Sequence, residues 1–158
     1  MASPPPAPAA GAATHSVFVY GTLMAEEVLR VLLGRAPPAS PALLPDHRRF
    51  SIRGRVYPAI LPARGAAVHG KVFRGVTDRE LHVFDAFEDE EYARKTLEVS
   101  ITDTSEKLPA YAYIWVNEAD PDLYGEWDFE EWRKVHLDDY LEMTREFMEE
   151  LEQSESKP

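Results

Sequence analysis

Residues 16–24 read Ser-Val-Phe-Val-Tyr-Gly-Thr-Leu-Met, and this stretch joins a compact apolar run directly to a glycine. Its first five residues are mostly β-branched or aromatic, which is typical of a buried strand. After Gly21, apolar residues recur at helical spacing as far as Gly34, a residue type that commonly ends helices. The stretch therefore predicts a buried strand that turns through a glycine into a helix, with Thr22 as the N-cap.

A turn from strand to helix presents free backbone amides, with the helix dipole behind them, to any anionic group. Residues 20–23 are therefore a candidate site for a carboxylate or a developing oxyanion. The other interpretation is a tight turn that needs Gly21 for steric reasons alone. The spacing does not decide between the two.

The rest of the chain alternates short strands with helices, which predicts the α+β class. Further strands are predicted at 50–52, 56–60, 67–74, 96–101 and 110–116. The segment 36–48 carries four prolines and is predicted to be a loop. The strand at 110–116 is apolar on both faces, which favours a central strand or a barrel wall.

Two more helices have clear start signals. Thr77 with Glu80 forms a capping-box pattern, and Leu81 and Phe84 continue its apolar face. A long C-terminal helix is predicted to open at Asp128, and one apolar stripe follows it. The members of this stripe are Phe129, Trp132, His136, Tyr140, Met143, Phe147 and Leu151.

The length of 158 residues fits one domain, predicted over 15–152. Residues 1–14 contain six alanines and four prolines, and they are predicted to be a disordered leader. Residues 153–158 are predicted to be a disordered tail. The leader lacks the features of a secretory signal, so we expect a cytoplasmic protein.

Composition excludes several classes of function. The 17 basic and 28 acidic residues give a net charge of −11, which disfavours nucleic acid and anionic membranes as partners. No cysteine is present, so disulfides, cysteine nucleophiles and thiolate metal ligands are excluded together. The five histidines show no metal-ligand spacing, so we expect no metal site.

Glu88 is the candidate catalytic residue. It lies seven residues after Leu81 and four after Phe84, so it continues the apolar face of its helix. Burial raises the pKa of a carboxyl, which is how a fold prepares a base for neutral pH. The alternative is a structural glutamate paired with Arg94 or with tyrosine hydroxyls.

Four motifs in order resemble the γ-glutamylcyclotransferase-like family over roughly residues 16–116. Residues 18–24 resemble its Y-G-[ST] loop, and residues 56–60 its tyrosine-proline strand. Residues 84–94 are similar to its D-x-x-E…Y-x-R segment, and 111–115 to its later aromatic strand. The C-terminal helix looks most like the plant avirulence-induced-gene branch.

This resemblance implies a small mixed β-barrel with flanking helices and a long C-terminal helix, and a small-molecule γ-glutamyl substrate. The substrate's α-amine would attack its own γ-carbonyl and release 5-oxoproline, with Glu88 as general base and acid and no cofactor. The residues it assigns to substrate binding are Phe18, Val19, Tyr20, Gly21, Thr22, Leu23, Tyr57 and Tyr113.

One departure concerns Asp89, because many family members have glycine after the catalytic glutamate. A negative side chain there would narrow the mouth of the site and change substrate preference. A second hypothesis is a non-catalytic module on the same fold that binds a small ligand or a protein. The presence of a desolvated Glu88 favours the enzyme, since a fold that has lost its catalytic activity has no reason to keep a desolvated carboxylate.

Overall fold

The computed structural model describes residues 14–156, which hold six strands and three helices. The strands are β1 (Thr14–Val19), β2 (Ala39–Ile52), β3 (Ala59–Thr77), β4 (Tyr92–Ile101), β5 (Lys107–Trp115) and β6 (Leu123–Tyr124). The helices are α1 (Glu26–Leu33), α2 (Asp78–Glu88) and α3 (Phe129–Ser156), with 3₁₀ turns at Thr22–Met24 and Asp89–Glu91.

Five of the strands close into a small barrel. Their order is β3-β1-β5-β4-β2, and a further pairing between β2 and β3 completes the ring, while β6 extends the edge of β2. β1 runs parallel to β5, and the other pairs are antiparallel. The mixed β-barrel with flanking helices is therefore confirmed.

The apolar core has two parts, and successive side chains of β1 point alternately into one and the other. Phe18 and Tyr20 point into the barrel, where they pack with residues such as Leu44 and Ile60. Val17 and Val19 point outward, toward the buried faces of the three helices. Because both faces of β1 are buried, its run of apolar residues is continuous, as the sequence indicates.

The loop predicted for 36–48 is wrong, because β2 occupies most of it. β2 pairs with β3 along nearly its whole length, and a bulge after Pro45 interrupts the register. At that bulge Asp46 has a φ of 58°. Pro45 has no backbone N–H to donate, and next to a bulge, where the ladder of hydrogen bonds is already irregular, this loss is tolerated. The strands predicted at 56–60 and 67–74 form one continuous strand, β3, which begins only at Ala59, after a bend at Val56–Pro58.

Both predicted chain ends need correction. Thr14 is the first residue of β1, whereas the rest of the predicted leader lies outside the described residues. The predicted tail is wrong for residues 153–156, because α3 continues to Ser156. Glu155 explains the extension, since it pairs with Arg79 at 2.6 Å and with His82 at 2.8 Å on α2. Residues 157–158 lie outside the described residues.

α3 is fastened to the body by its apolar stripe and by ion pairs at both ends. Trp132 and Tyr140 are buried in the helix-facing core. Near its start, Arg133 forms a two-pronged pair with Glu27 of α1. No helix within residues 14–156 is long and apolar enough to cross a membrane.

The capping box at the start of α2 gives the first testable prediction. The amide of Glu80 donates to Thr77 Oγ1 at 3.1 Å, and the amide of Thr77 donates to Glu80 Oε1 at 3.0 Å. Thr77→Ala removes one of these bonds, so the free energy of unfolding should fall by about 1 kcal/mol in urea titration. Thr102→Ala, in the exposed β4–β5 turn, is the control and should change it little. Equal losses in both variants would contradict the role of the cap.

Candidate active site

A cavity of about 200 Å³ lies where the end of β1, the end of α2 and the middle of α3 meet. Every residue predicted for the site lines it, namely Phe18, Val19, Tyr20, Gly21, Thr22, Leu23, Tyr57, Glu88 and Tyr113. Six further residues that no motif assigned to the site also line it, namely Pro58, Phe87, Glu91, Tyr92, Tyr140 and Met143. The described lining contains no lysine, arginine or histidine.

Tyr20 is held at the floor of this cavity by two hydrogen bonds. Its hydroxyl donates to the carbonyl oxygen of Tyr113 on β5 at 2.6 Å. Its own carbonyl oxygen accepts a bond of 2.8 Å from the guanidinium of Arg49 on β2. The turn that follows β1 is thus fixed by bonds to β5 and to β2. No sequence motif indicated Arg49.

The structure gives a steric reason for glycine at position 21. A Cβ at this position would lie 2.8 and 2.9 Å from Cγ and Cδ of Pro58, closer than atoms can pack. The bend at Val56–Pro58 therefore lies directly against the backbone of the turn. This close approach keeps Tyr57 and Pro58 on the cavity wall.

Thr22 does not cap α1, contrary to the prediction. A 3₁₀ turn over Thr22–Met24 precedes α1, whose N-cap is Ala25, and neither element has a side-chain cap. The Thr22 hydroxyl donates instead to the hydroxyl of Tyr140 on α3, at 3.1 Å. The predicted stop at Gly34 is confirmed, because its φ is 75° and its amide bonds to Arg30.

Glu88 is the last residue of α2, and its side chain faces the cavity. Burial raises the pKa of its carboxyl to about 8. None of the described residues donates a hydrogen bond to it, so desolvation is not offset. A carboxyl with this pKa can exchange a proton near neutral pH.

The proposed structural partners of Glu88 are engaged elsewhere. Arg94 donates to Asp85 Oδ2 at 2.7 Å, and the Tyr113 hydroxyl donates to Asp85 Oδ1 at 2.6 Å. The Tyr92 hydroxyl donates to the carbonyl oxygen of Pro58 at 2.6 Å. Among residues 14–156, Glu88 therefore has no ion-pair partner.

The mouth of the cavity carries a small polar cluster. Glu91 accepts a bond of 2.7 Å from Arg55 and one of 3.1 Å from the Tyr57 hydroxyl, which Arg55 also contacts. These bonds tie the 53–58 loop to the 3₁₀ turn after Glu88. Within residues 14–156, no three acidic or histidine side chains lie close enough together to hold a metal ion.

Asp89 sits at the rim in a backbone conformation that favours glycine. Its φ is 62° and its ψ is −159°, a region that residues with a Cβ rarely occupy. Its amide still closes the last turn of α2 by bonding to the Asp85 carbonyl. The helix end that positions Glu88 thus contains local strain.

Comparisons with family models, with known sequences and with solved structures all find proteins similar to this chain. The family model described as gamma-glutamyl cyclotransferase, AIG2-like, matches residues 17–134. AIG2-like protein D of Arabidopsis thaliana is 58% identical over 138 residues, which is 87% of this chain and 91% of that protein. A solution structure from Arabidopsis thaliana matches with a TM-score of 0.68 at 43% identity, over 92% of this chain and 95% of that one. A solved gamma-glutamyl cyclotransferase shares the fold, with a TM-score of 0.54 at 14% identity over 84% and 87% of the two chains.

The contact between Gly21 and Pro58 predicts a coupled pair of substitutions. Gly21→Ala should lower the free energy of unfolding by roughly 1–3 kcal/mol, because its Cβ overlaps the proline ring. Pro58→Ala removes the two overlapped atoms, so the double variant should lose less than the sum of the single losses. Chemical denaturation of all four proteins measures this coupling, and strictly additive losses would refute the contact.

The strain at Asp89 predicts a stabilising substitution. Asp89→Gly removes the Cβ that makes this conformation unfavourable, so the protein should gain about 1 kcal/mol of stability. Asp89→Asn is the matched control, because it removes the same charge but keeps a Cβ, and it should gain less. If the two variants melt at the same temperature, the charge of Asp89 and not its backbone sets the stability.

Proposed function

The chain belongs to the gamma-glutamyl cyclotransferase, AIG2-like family, and on that basis we propose that it cyclises γ-glutamyl amides. The products would be 5-oxoproline and a free amine or amino acid. The substrate would be a small molecule, bound in the cavity between β1, α2 and α3. The proposal assigns the proton transfers to Glu88.

The observation that carries this proposal is the unpaired carboxyl of Glu88. Its pKa of about 8 is raised by burial, and no described residue neutralises it by a hydrogen bond or an ion pair. A buried glutamate without a partner lowers the stability of the folded protein, and a purely structural role would not offset that cost. A base that must take a proton from an ammonium group, and return it later, needs a pKa in this range.

The reaction needs only one proton-accepting group and a substrate bound in the conformation that brings its amine to its γ-carbonyl. Glu88 takes a proton from the substrate's α-ammonium, and the nitrogen attacks the γ-carbonyl carbon, which closes a five-membered ring. The carbonyl oxygen carries the negative charge of the tetrahedral intermediate. As the bond to the leaving nitrogen breaks, Glu88 returns the proton to that nitrogen, and its carboxylate then takes the second proton from the ring nitrogen, which leaves a neutral lactam. Nucleophile and electrophile belong to one molecule, so little association entropy opposes the attack.

In this proposal the turn at Tyr20–Leu23 binds the negative groups of the substrate. The described cavity lining offers no cationic side chain, so the substrate's negative groups must be met by neutral donors. Backbone amides of the turn are such donors, and they are held rigid by the two bonds to Tyr20. Fixed dipoles of this kind stabilise developing charge without having to reorganise.

Glu88→Gln should abolish 5-oxoproline formation while the protein stays folded, because an amide cannot accept the proton. The measurement is 5-oxoproline release from a panel of γ-glutamyl amino acids and γ-glutamyl amines. Glu90→Gln, two residues away and exposed, removes the same charge outside the cavity and should keep full activity. A Glu88→Gln protein with activity within tenfold of the wild type would remove Glu88 from the role of base.

The same group sets the pH dependence of activity and of stability. Below about pH 8 the carboxyl is protonated and cannot act as a base, so kcat/KM should fall about tenfold per pH unit there and level off above. Because the folded pKa lies above the usual value, ionisation costs stability as pH rises from about 4.5 to about 8. The melting temperature of Glu88→Gln should therefore exceed that of the wild type increasingly over this window. A constant difference between pH 4 and 9 would contradict the raised pKa.

A further inference from the structure

Five tyrosines line the cavity, and four of them already donate their hydroxyl protons to the protein. Tyr20 donates to the Tyr113 carbonyl, Tyr57 to Glu91, Tyr92 to the Pro58 carbonyl and Tyr113 to Asp85. Tyr140 is the fifth. Its hydroxyl oxygen accepts a bond from Thr22, and its own proton has no acceptor among residues 14–156.

The pairing of Thr22 with Tyr140 leaves one donor unused whichever way the bond between them runs. Two hydroxyl groups carry two protons, and one bond of 3.1 Å uses one of them. Both residues are about 95% buried, with 5% exposure each, and both line the cavity. A buried hydroxyl proton without an acceptor is costly, unless a ligand supplies the acceptor.

We propose that the Tyr140 hydroxyl binds the substrate by donating a hydrogen bond to its α-carboxylate. This inference rests on the function proposed above, since that function defines the carboxylate. The α-carboxylate is charged in the free substrate and remains charged in 5-oxoproline. It therefore needs donors throughout the reaction, in a cavity whose described lining has no cation.

The surroundings of Tyr140 suit a fixed donor. Its ring makes edge-to-face contacts with Trp132 at 5.3 Å and with Phe87 at 6.1 Å between ring centroids. Burial raises the pKa of its hydroxyl, and the nearby charge of Glu88 acts in the same direction, so the group keeps its proton. The bond accepted from Thr22 polarises the hydroxyl and makes it a better donor. Binding would therefore cost little ordering of this side chain.

The assignment makes α3 part of the site. Tyr140 lies 118 positions after Thr22 in the chain, and the ion pairs of Arg133 and Glu155 fasten the helix that carries it. α3 would thus complete the binding of the substrate.

Tyr140→Phe tests the inference, because it removes the hydroxyl and keeps the ring. Two ligands are titrated by NMR into the wild type and the variant: 5-oxoproline and 2-pyrrolidinone, the same ring without the carboxylate. The Kd for 5-oxoproline should rise about 10- to 100-fold, which is typical for loss of a hydrogen bond to a charged group. The Kd for 2-pyrrolidinone should not change. Tyr124→Phe, on an exposed tyrosine outside the cavity, is the control and should affect neither ligand.

Turnover gives a second readout. With a γ-glutamyl substrate, Tyr140→Phe should raise KM by a similar factor while kcat stays within about threefold, because the bond is present in ground and transition states alike. Thr22→Val, which keeps the branched shape, should weaken 5-oxoproline binding by a smaller factor. This variant tests the pair if Tyr140→Phe does not fold.

The outcomes separate the inference from the proposed function. Equal weakening of both ligands, unchanged binding of 5-oxoproline, or a loss of kcat at constant KM would overturn the carboxylate assignment. A wild type that forms no 5-oxoproline but binds it through Tyr140 would overturn the reaction and support the carboxylate subsite. A wild type that neither forms nor binds 5-oxoproline would overturn both.

Discussion

The arrangement of the cavity depends on one buried carboxyl, that of Glu88, which has no hydrogen-bond or ion-pair partner among residues 14–156. The nearby arginines and most of the nearby tyrosines are bonded to other atoms instead. Arg94 and Tyr113 bind Asp85, three residues earlier on the same helix. Arg55 and Tyr57 bind Glu91, three residues later. These two carboxylates flank Glu88 and engage the nearby donors, so its pKa is governed by burial.

Such an arrangement is unfavourable in isolation, and the surrounding fold holds it in place. Glu88 ends a helix whose other end is fixed by a complete capping box, and Glu80 in that box is also bound by Arg35. The helix end itself includes the strained Asp89. A closed barrel supplies the rigid side of the cavity, since β1 is paired on both edges. Strain and an unpaired carboxyl at one place, supported by regular structure elsewhere, are typical of a functional site.

α3 has a double role in this architecture. Its apolar stripe packs on α1 and the neighbouring core, and Tyr140 within the same stripe reaches the cavity. Periodicity identified the stripe but did not distinguish the residues that only pack from the one that also presents a hydroxyl. Glu155, near the end of α3 in the segment predicted to be a disordered tail, pairs with α2. The helix is therefore a wall of the site as well as a cover for the core.

The sequence by itself determined the features that depend on local spacing. These are the buried strand β1, the stop of α1 at Gly34, the capping box of α2, the opening of α3 at Asp128 and the orientation of Glu88. Only the tertiary structure decided that Pro45 fits within β2 beside a bulge, that Pro58 packs against Gly21, that Arg49 holds Tyr20 and that Thr22 meets Tyr140. Periodicity states which face of an element is buried, whereas the group that this face meets depends on how distant strands and helices close around one barrel.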